Sequence, residues 1–192
     1  MRYQISGKQI DIGEALQTHV ETELGETLAK YAGRPTEAYV VFSKSGHESV
    51  AEAVVHLSTG LTVQAKGHDP EIYAAFDACC EKMDKQLRRY KRRLKDHHRD
   101  RPQPVEVSGG GAYILAATTD DSDEVEQDSD APVIVAETEA KIPSISVGEA
   151  VMQMELANSL VVVFKNEKHG RINVVYKRDD GNIGWIDPHS GG

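Results

Sequence analysis

Between Lys82 and Lys95 the chain sets eight cations, Lys82, Lys85, Arg88, Arg89, Lys91, Arg92, Arg93 and Lys95, against one acid, Asp84. These residues carry a net +7 in a chain whose formal net charge is −9, so the remainder carries −16. Like charges this close repel one another along a helix, so folding stability alone does not favour the run. Half of the eight are arginines, whose planar fork matches phosphate oxygens two at a time. A run of mixed sign would read as a solvated helix face. This run has one sign, and the chemistry it suits is contact with the phosphate backbone of a nucleic acid.

Other reactive residue types form no constellation. Cys79 and Cys80 are adjacent on one predicted helix, which rules out a disulfide framework and a metal set; Cys79 reads as a small core residue. His97 and His98 follow the basic run without a third ligand at a usable spacing, and they read as neighbours of bound RNA. Ser43, Ser45 and His47 lack an orienting acid and an oxyanion loop, so they read as a turn. Asp77, Glu81 and Asp84 read as surface or capping charge. There is no G-x-x-x-x-G-K-[ST] or G-x-G-x-x-G phosphate loop, and no RNA-recognition-motif aromatic set or KH-type loop. The sequence therefore predicts a binding protein rather than an enzyme, with no metal, cofactor or small-molecule substrate and with recognition led by shape and charge.

The element that must carry the cations spans about Asp69–Asp96. Asp69, Pro70 and Glu71 predict its start: a capping carboxylate, a proline in the first turn and an acid near the positive end of the dipole. Ile72, Phe76, Cys79, Met83, Leu87, Tyr90 and Leu94 recur at spacings of three and four. At ~100° per residue they fall within roughly 80° of arc, one apolar stripe beneath the cations. Upstream, Arg2–Ser6 predicts a strand. Ile12, Leu16, Val20, Leu24, Leu28 and Tyr31 then predict a helix, with Gly13 at the cap position and an end before Gly33 and Pro35. Ala38–Ser43 predicts a second strand. Residues 50–57 and 61–66 alternate as a hairpin, with Ala51, Ala53, Val55, Leu57, Leu61, Val63 and Ala65 on the apolar side. The fold class is α+β, in the order β-α-β-β-β-α: a four-stranded sheet with two helices on its apolar face, over residues 1–100.

Residues 101–132 read as a flexible linker, with Gly109–Gly111 and seven acids between Asp120 and Asp130. Tyr113–Ala117 stands out in it as a short apolar patch. Residues 133–192 predict a small α+β domain: a strand at Val133–Ala136, a helix capped by Ser146, a strand at Leu160–Lys165, and a hairpin of Arg171–Arg178 and Ile183–Ile186 across the turn at residues 179–182. LVVVFK is apolar on both faces and one short helix covers only one of them, so the domain should self-associate. The expected contact lies on Val162, Phe164, Val174 and Tyr176, with Phe164 as anchor. Hydrophobic content is 39% and charged content 28%. No apolar run approaches the ~18 residues of a membrane span, and the opening lacks a signal peptide's apolar core. A cytoplasmic protein with no membrane partner is expected.

Three segments, ISGKQIDIGEAL, EIYAAFDACCEKMDKQLRRYKRRLKDH and SVGEAVMQMELANSLVVVFKNEKHGRINVVYKRDDGNIGWIDP, resemble the ribosome hibernation promoting factors of bacteria, in their long form. The resemblance covers about 100 residues at the N-terminus and about 60 at the C-terminus. It implies an N-terminal domain like a double-stranded-RNA-binding fold, seated in the messenger and transfer RNA channel of the small ribosomal subunit. It also implies contact of the basic positions from Lys82 to Lys95 with 16S ribosomal RNA, and a homodimer through the C-terminal domain that joins two idle ribosomes in stationary phase or stress. Relatives described as modulators of an alternative sigma factor suggest another reading, a binder of free nucleic acid that modulates transcription without pairing ribosomes.

Overall fold

The computed structural model describes residues 1–31, 35–58, 60–97, 105–116 and 133–188, with side chains up to Arg93 in the long helix. In the N-terminal half, β1 (Arg2–Gly7), α1 (Glu14–Ala29), β2 (Pro35–Ser45), β3 (Glu48–Leu57), β4 (Thr62–Asp69) and α2 (Ile72–His97) follow in the expected order. The sheet runs β1-β2-β3-β4, parallel between β1 and β2 and antiparallel elsewhere. The predicted alternation holds: Ala51, Ala53, Val55, Leu57, Val63 and Ala65 point inward and meet Leu16, Val20, Leu24 and Leu28 of α1 and Phe76, Cys79, Met83 and Leu87 of α2. One core thus joins both helices to one face of the sheet.

Two local details set the position of α2. Gly67 lies under it, where a Cβ would overlap the Ala75 carbonyl oxygen, so only glycine allows so close an approach of helix and strand. The helix starts later than the sequence suggests. The Asp69 carboxylate accepts the Glu71 N–H at 2.9 Å, and the Glu71 carbonyl accepts the first helical bond, from Ala75 at 2.9 Å. Asp69 therefore pins the turn before the helix rather than capping its first turn, and Pro70 lies outside the helix.

The linker reading is corrected in part. Val107–Leu115 is a strand, β5, antiparallel to β6 (Ile134–Ile145), and it includes most of the apolar patch. Glycine is depleted from strands, which hides this one in sequence; pairing with β6 supplies what its propensity lacks. The acids of 120–130 lie outside the described residues. The chain continues with α3 (Val147–Leu156), β7 (Val161–Asn166), β8 (Ile172–Lys177) and β9 (Ile183–Ile186), in a sheet ordered β5-β6-β7-β8-β9. The cap at Ser146 is a full capping box: its hydroxyl accepts the Glu149 N–H while the Glu149 carboxylate accepts the Ser146 N–H.

A second, smaller core gathers Ile145, Ala150, Met154, Phe164 and Val175 between α3 and the sheet. Beside it, Asn173 accepts hydrogen bonds from Asn166 at 2.9 Å and from the Trp185 indole at 3.0 Å, and donates to Asp187 at 2.9 Å. Arg171 pairs with Asp187 at 3.1 Å and His169 lies 3.5 Å from it. Burial would raise the Asp187 carboxyl, but the Asn173 hydrogen bond and the Arg171 and His169 charges prevail and hold it below the usual carboxylate range. A depressed folded pKa stabilises the fold above the unfolded value of about 3.9, and the contribution disappears as pH falls through the folded value. Asp187→Asn should lower the denaturant midpoint of the full chain at pH 7, and the gap from the parent protein should close in acid below that folded value. Parallel curves across the whole pH range would show that the charge is not what ties β8 to the chain end.

Candidate nucleic-acid interface

The basic helix lies on the N-terminal core by the predicted stripe. Phe76, Cys79, Met83 and Leu87 are buried, with Ile72 and Tyr90 packed at the margin. Burial pushes the two thiols up, Cys79 to about 11 and Cys80 to about 12, so neither is a reactive thiolate at neutral pH. Among the described residues no His, Cys, Asp or Glu cluster is gathered as a metal set would be, and no helix is long and apolar enough to cross a membrane.

The α1 side of α2 is clasped by residues distant in sequence. The Tyr31 hydroxyl donates toward both the backbone oxygen and the carboxylate of Asp84, at 2.9 Å each, and Lys30 stands 3.8 Å from the same carboxylate. Burial and the Asp84 hydrogen bond push the Tyr31 phenol up to about 12. His19 meets Asp77 at 2.8 Å. Of the three acids read as surface or capping charge, Asp77 and Asp84 are therefore staples on the α1 side, while Glu81 is exposed.

The eight predicted cations divide by role. Lys82 donates to the Lys66 backbone oxygen at 2.7 Å, on the β4 side. Lys91 reaches the Lys30 backbone oxygen at 3.5 Å and lies over the Tyr31 ring, 5.7 Å from its centroid, on the α1 side. Arg93 pairs with Glu155 of α3 at 3.1 Å. These three tie α2 to its neighbours. Lys85, Arg88, Arg89 and Arg92 are exposed along the crest. Lys85 makes only a one-turn pair with Glu81 at 3.5 Å, a type of contact worth ~0.3–0.5 kcal/mol. Arg88, Arg89 and Arg92 make no ion pair among the described residues. The Lys95 side chain lies outside the described residues.

At ~100° per residue these positions place Lys85 and Arg92 opposite the buried stripe, with Arg88 and Arg89 to either side. Lys85 is three and four residues from Arg88 and Arg89, and Arg92 is four and three residues beyond them, so the helix sets the Cβ atoms of these pairs about 5–6 Å apart. Such an array can engage several phosphates at once with little ordering cost, because the crest rests on a buried core.

The four residues expected to build a self-association face fall on opposite sides of their sheet. Phe164 is 0% exposed and Val162 packs beside it against α3, so Phe164 is corrected from a partner anchor to a core residue. In the register Val161↔Tyr176, Val163↔Val174 and Val174↔Ile186, directly opposed residues share a face. The outward face thus carries Val161 (50% exposed), Val163 (41%), Ile172 (44%) and Ile186 (49%), together with the partly buried Val174 and Tyr176. The Tyr176 ring lies across Gly184, which has no Cβ to displace it. Val161, Val163, Ile172 and Ile186 escaped the sequence reading. Strand parity with Phe164 would have found the first two.

Residues 3–95 match the family described as sigma 54 modulation protein / S30EA ribosomal protein, and residues 129–184 match its C-terminal module. The chain is 35% identical to the ribosome hibernation promotion factor of Bradyrhizobium diazoefficiens, over 100% of this chain and 96% of that protein. It is 38% identical to the factor of the same name from Rhizobium meliloti, over 97% of each. The N-terminal domain of Protein Y from Thermus thermophilus is 28% identical, with a TM-score of 0.43 over 47% of this chain and 99% of that one. The chain belongs to the sigma 54 modulation protein / S30EA ribosomal protein family, in the long form that carries both modules.

Proposed function

We propose that the protein silences ribosomes by binding and performs no catalysis. Residues 1–100 enter the messenger and transfer RNA channel of the small subunit, as a fold like a double-stranded-RNA-binding domain, and the α2 crest lies on 16S ribosomal RNA phosphates. Residues 133–192 pair with a second copy through the outward face of β7, β8 and β9, joining two idle ribosomes in the cytoplasm during stationary phase or stress; residues 101–132 connect the two functions. The observation that carries this reading is the exposed crest of Lys85, Arg88, Arg89 and Arg92 on a helix whose opposite face is buried. The apolar outward face supports self-association, since large exposed apolar patches mark interaction sites.

The sigma 54 wording of the family description favours a second reading, a modulator of transcription acting on free nucleic acid. Sedimentation of a stationary-phase lysate separates the two. The protein should travel with paired ribosomes, and deletion of its gene should remove the paired species. Travel with the nucleoid and an unchanged ribosome profile would favour the second reading.

A further inference from the structure

Helix α3 is apolar on two sides. Val147, Ala150, Val151 and Met154 face its own sheet or its margin. Met152 and Leu156, one turn apart, are buried as well, and neither belongs to that core. Leu156 is 3% exposed and packs into the N-terminal core, the one that holds Leu87. Met152, Glu155 and Leu156 line a cleft of about 310 Å³ with Gln86, Arg89 and Tyr90 of α2. Arg93 is bound there by Glu155, and burial, with a smaller contribution from the Glu149 carboxylate, pushes the Tyr90 phenol up to about 12. Helix α2 is therefore flanked by α1 on one side and α3 on the other.

The Glu155 carboxylate and the body of α3 stand beside Arg89 and Arg93, at the edge of the crest. A phosphate backbone laid along α2 would meet them there. The Arg93–Glu155 pair is about half exposed, so it adds at most ~1 kcal/mol to the contact. The apolar contact of Leu156 and Met152 therefore holds it more than the ion pair does.

From this we infer that the C-terminal module is a latch on the RNA-binding helix. Docked through Met152, Glu155 and Leu156, it withholds Arg93 and one approach to Arg89 from RNA, and binding to RNA requires it to swing away. The inference rests on the crest being the RNA-binding surface. It gives the free protein a low affinity for stray RNA, while a ribosomal site with many phosphates in fixed geometry can displace the latch.

The test uses the full chain, a short RNA duplex of unrelated sequence at low salt, and small-angle scattering. Met152→Asp/Leu156→Asp should expand the protein and tighten duplex binding about tenfold, the factor expected if the open state is populated about one part in ten. The direction is diagnostic because the two added negative charges alone would weaken binding. Glu155→Gln, which leaves the apolar contact in place, should shift affinity the same way by a smaller factor, so the test survives a misfolded double variant. Unchanged affinity in both variants, with the duplex bound by the parent, would overturn the latch and leave the RNA-binding crest standing. Unchanged dimensions in the double variant would overturn it as well. Failure of every form to bind the duplex would remove the crest reading and the latch together.

Discussion

Reversing Arg88, Arg89 and Arg92 together to Glu should abolish binding to the small ribosomal subunit without disturbing the fold. Each charge-assisted contact to phosphate contributes roughly 1.5 kcal/mol or more, so three lost contacts predict a weakening on the order of a thousandfold. The salt dependence should change with it. With four crest cations engaged, log K against log salt should fall with a slope of roughly −3 to −4, and the triple variant should lose most of that slope. None of the three side chains touches the buried stripe or stands in an ion pair among the described residues, so the thermal midpoint should be unchanged or slightly raised as like-charge repulsion is relieved. The matched control is Lys82→Gln with Lys91→Gln. Those cations serve neighbouring backbone oxygens, so the control should cost stability more than affinity. Equal loss of affinity in both variants would show that the division between crest and staples is wrong.

The second large effect is expected at the opposite end of the molecule. Val163 and Val174 are directly paired on the outward face of the C-terminal sheet. Changing both to Asp would place two unpaired charges in the proposed self-association interface, each costing about 3–5 kcal/mol when buried without a partner. The full chain should then sediment as a monomer at micromolar concentration, fail to pair ribosomes, and still block translation in a cell-free assay. Phe164→Ala should behave differently. Phe164 is fully buried under α3, so its loss should unfold the module at a cost of ~3–5 kcal/mol rather than yield a folded monomer. A folded, monomeric Phe164→Ala protein together with a dimeric Val163→Asp/Val174→Asp protein would return the interface to the other face of the sheet.

What could be read in the sequence was whatever depends on local period. The stripe from Ile72 to Tyr90 and the alternation of β3 and β4 follow from helix and strand geometry within one element, and the structure keeps both. Ser146 with Glu149 three residues on was legible for the same reason, since a capping box is closed within four residues. Contacts between elements were not legible. The partners of Lys82, Lys91 and Arg93 come from β4, the end of α1 and α3, and no spacing on α2 reveals them. The two faces of LVVVFK illustrate a subtler loss. The sequence shows both faces apolar, but only the position of α3 decides that Val162 and Phe164 are inside and Val161 and Val163 outside. Strand β5 was hidden because Gly109–Gly111 has weak strand propensity, and its pairing depends on β6, which begins about 20 residues beyond its end.

Whether the α2 crest lies on small-subunit RNA can be tested at the level of contact. Cys79 and Cys80 are buried thiols with raised pKa, so a single exposed cysteine can be labelled selectively. Glu81 is exposed near the crest, and its replacement removes only the pair with Lys85. A Glu81→Cys protein carrying an iron chelate that generates hydroxyl radicals should be bound to small subunits and the sites of RNA cleavage mapped. Cuts should be confined to 16S ribosomal RNA lining the messenger and transfer RNA channel, and they should be lost when Arg88, Arg89 and Arg92 are reversed. Bound protein that cuts only RNA outside that channel, or cuts none, would contradict this placement.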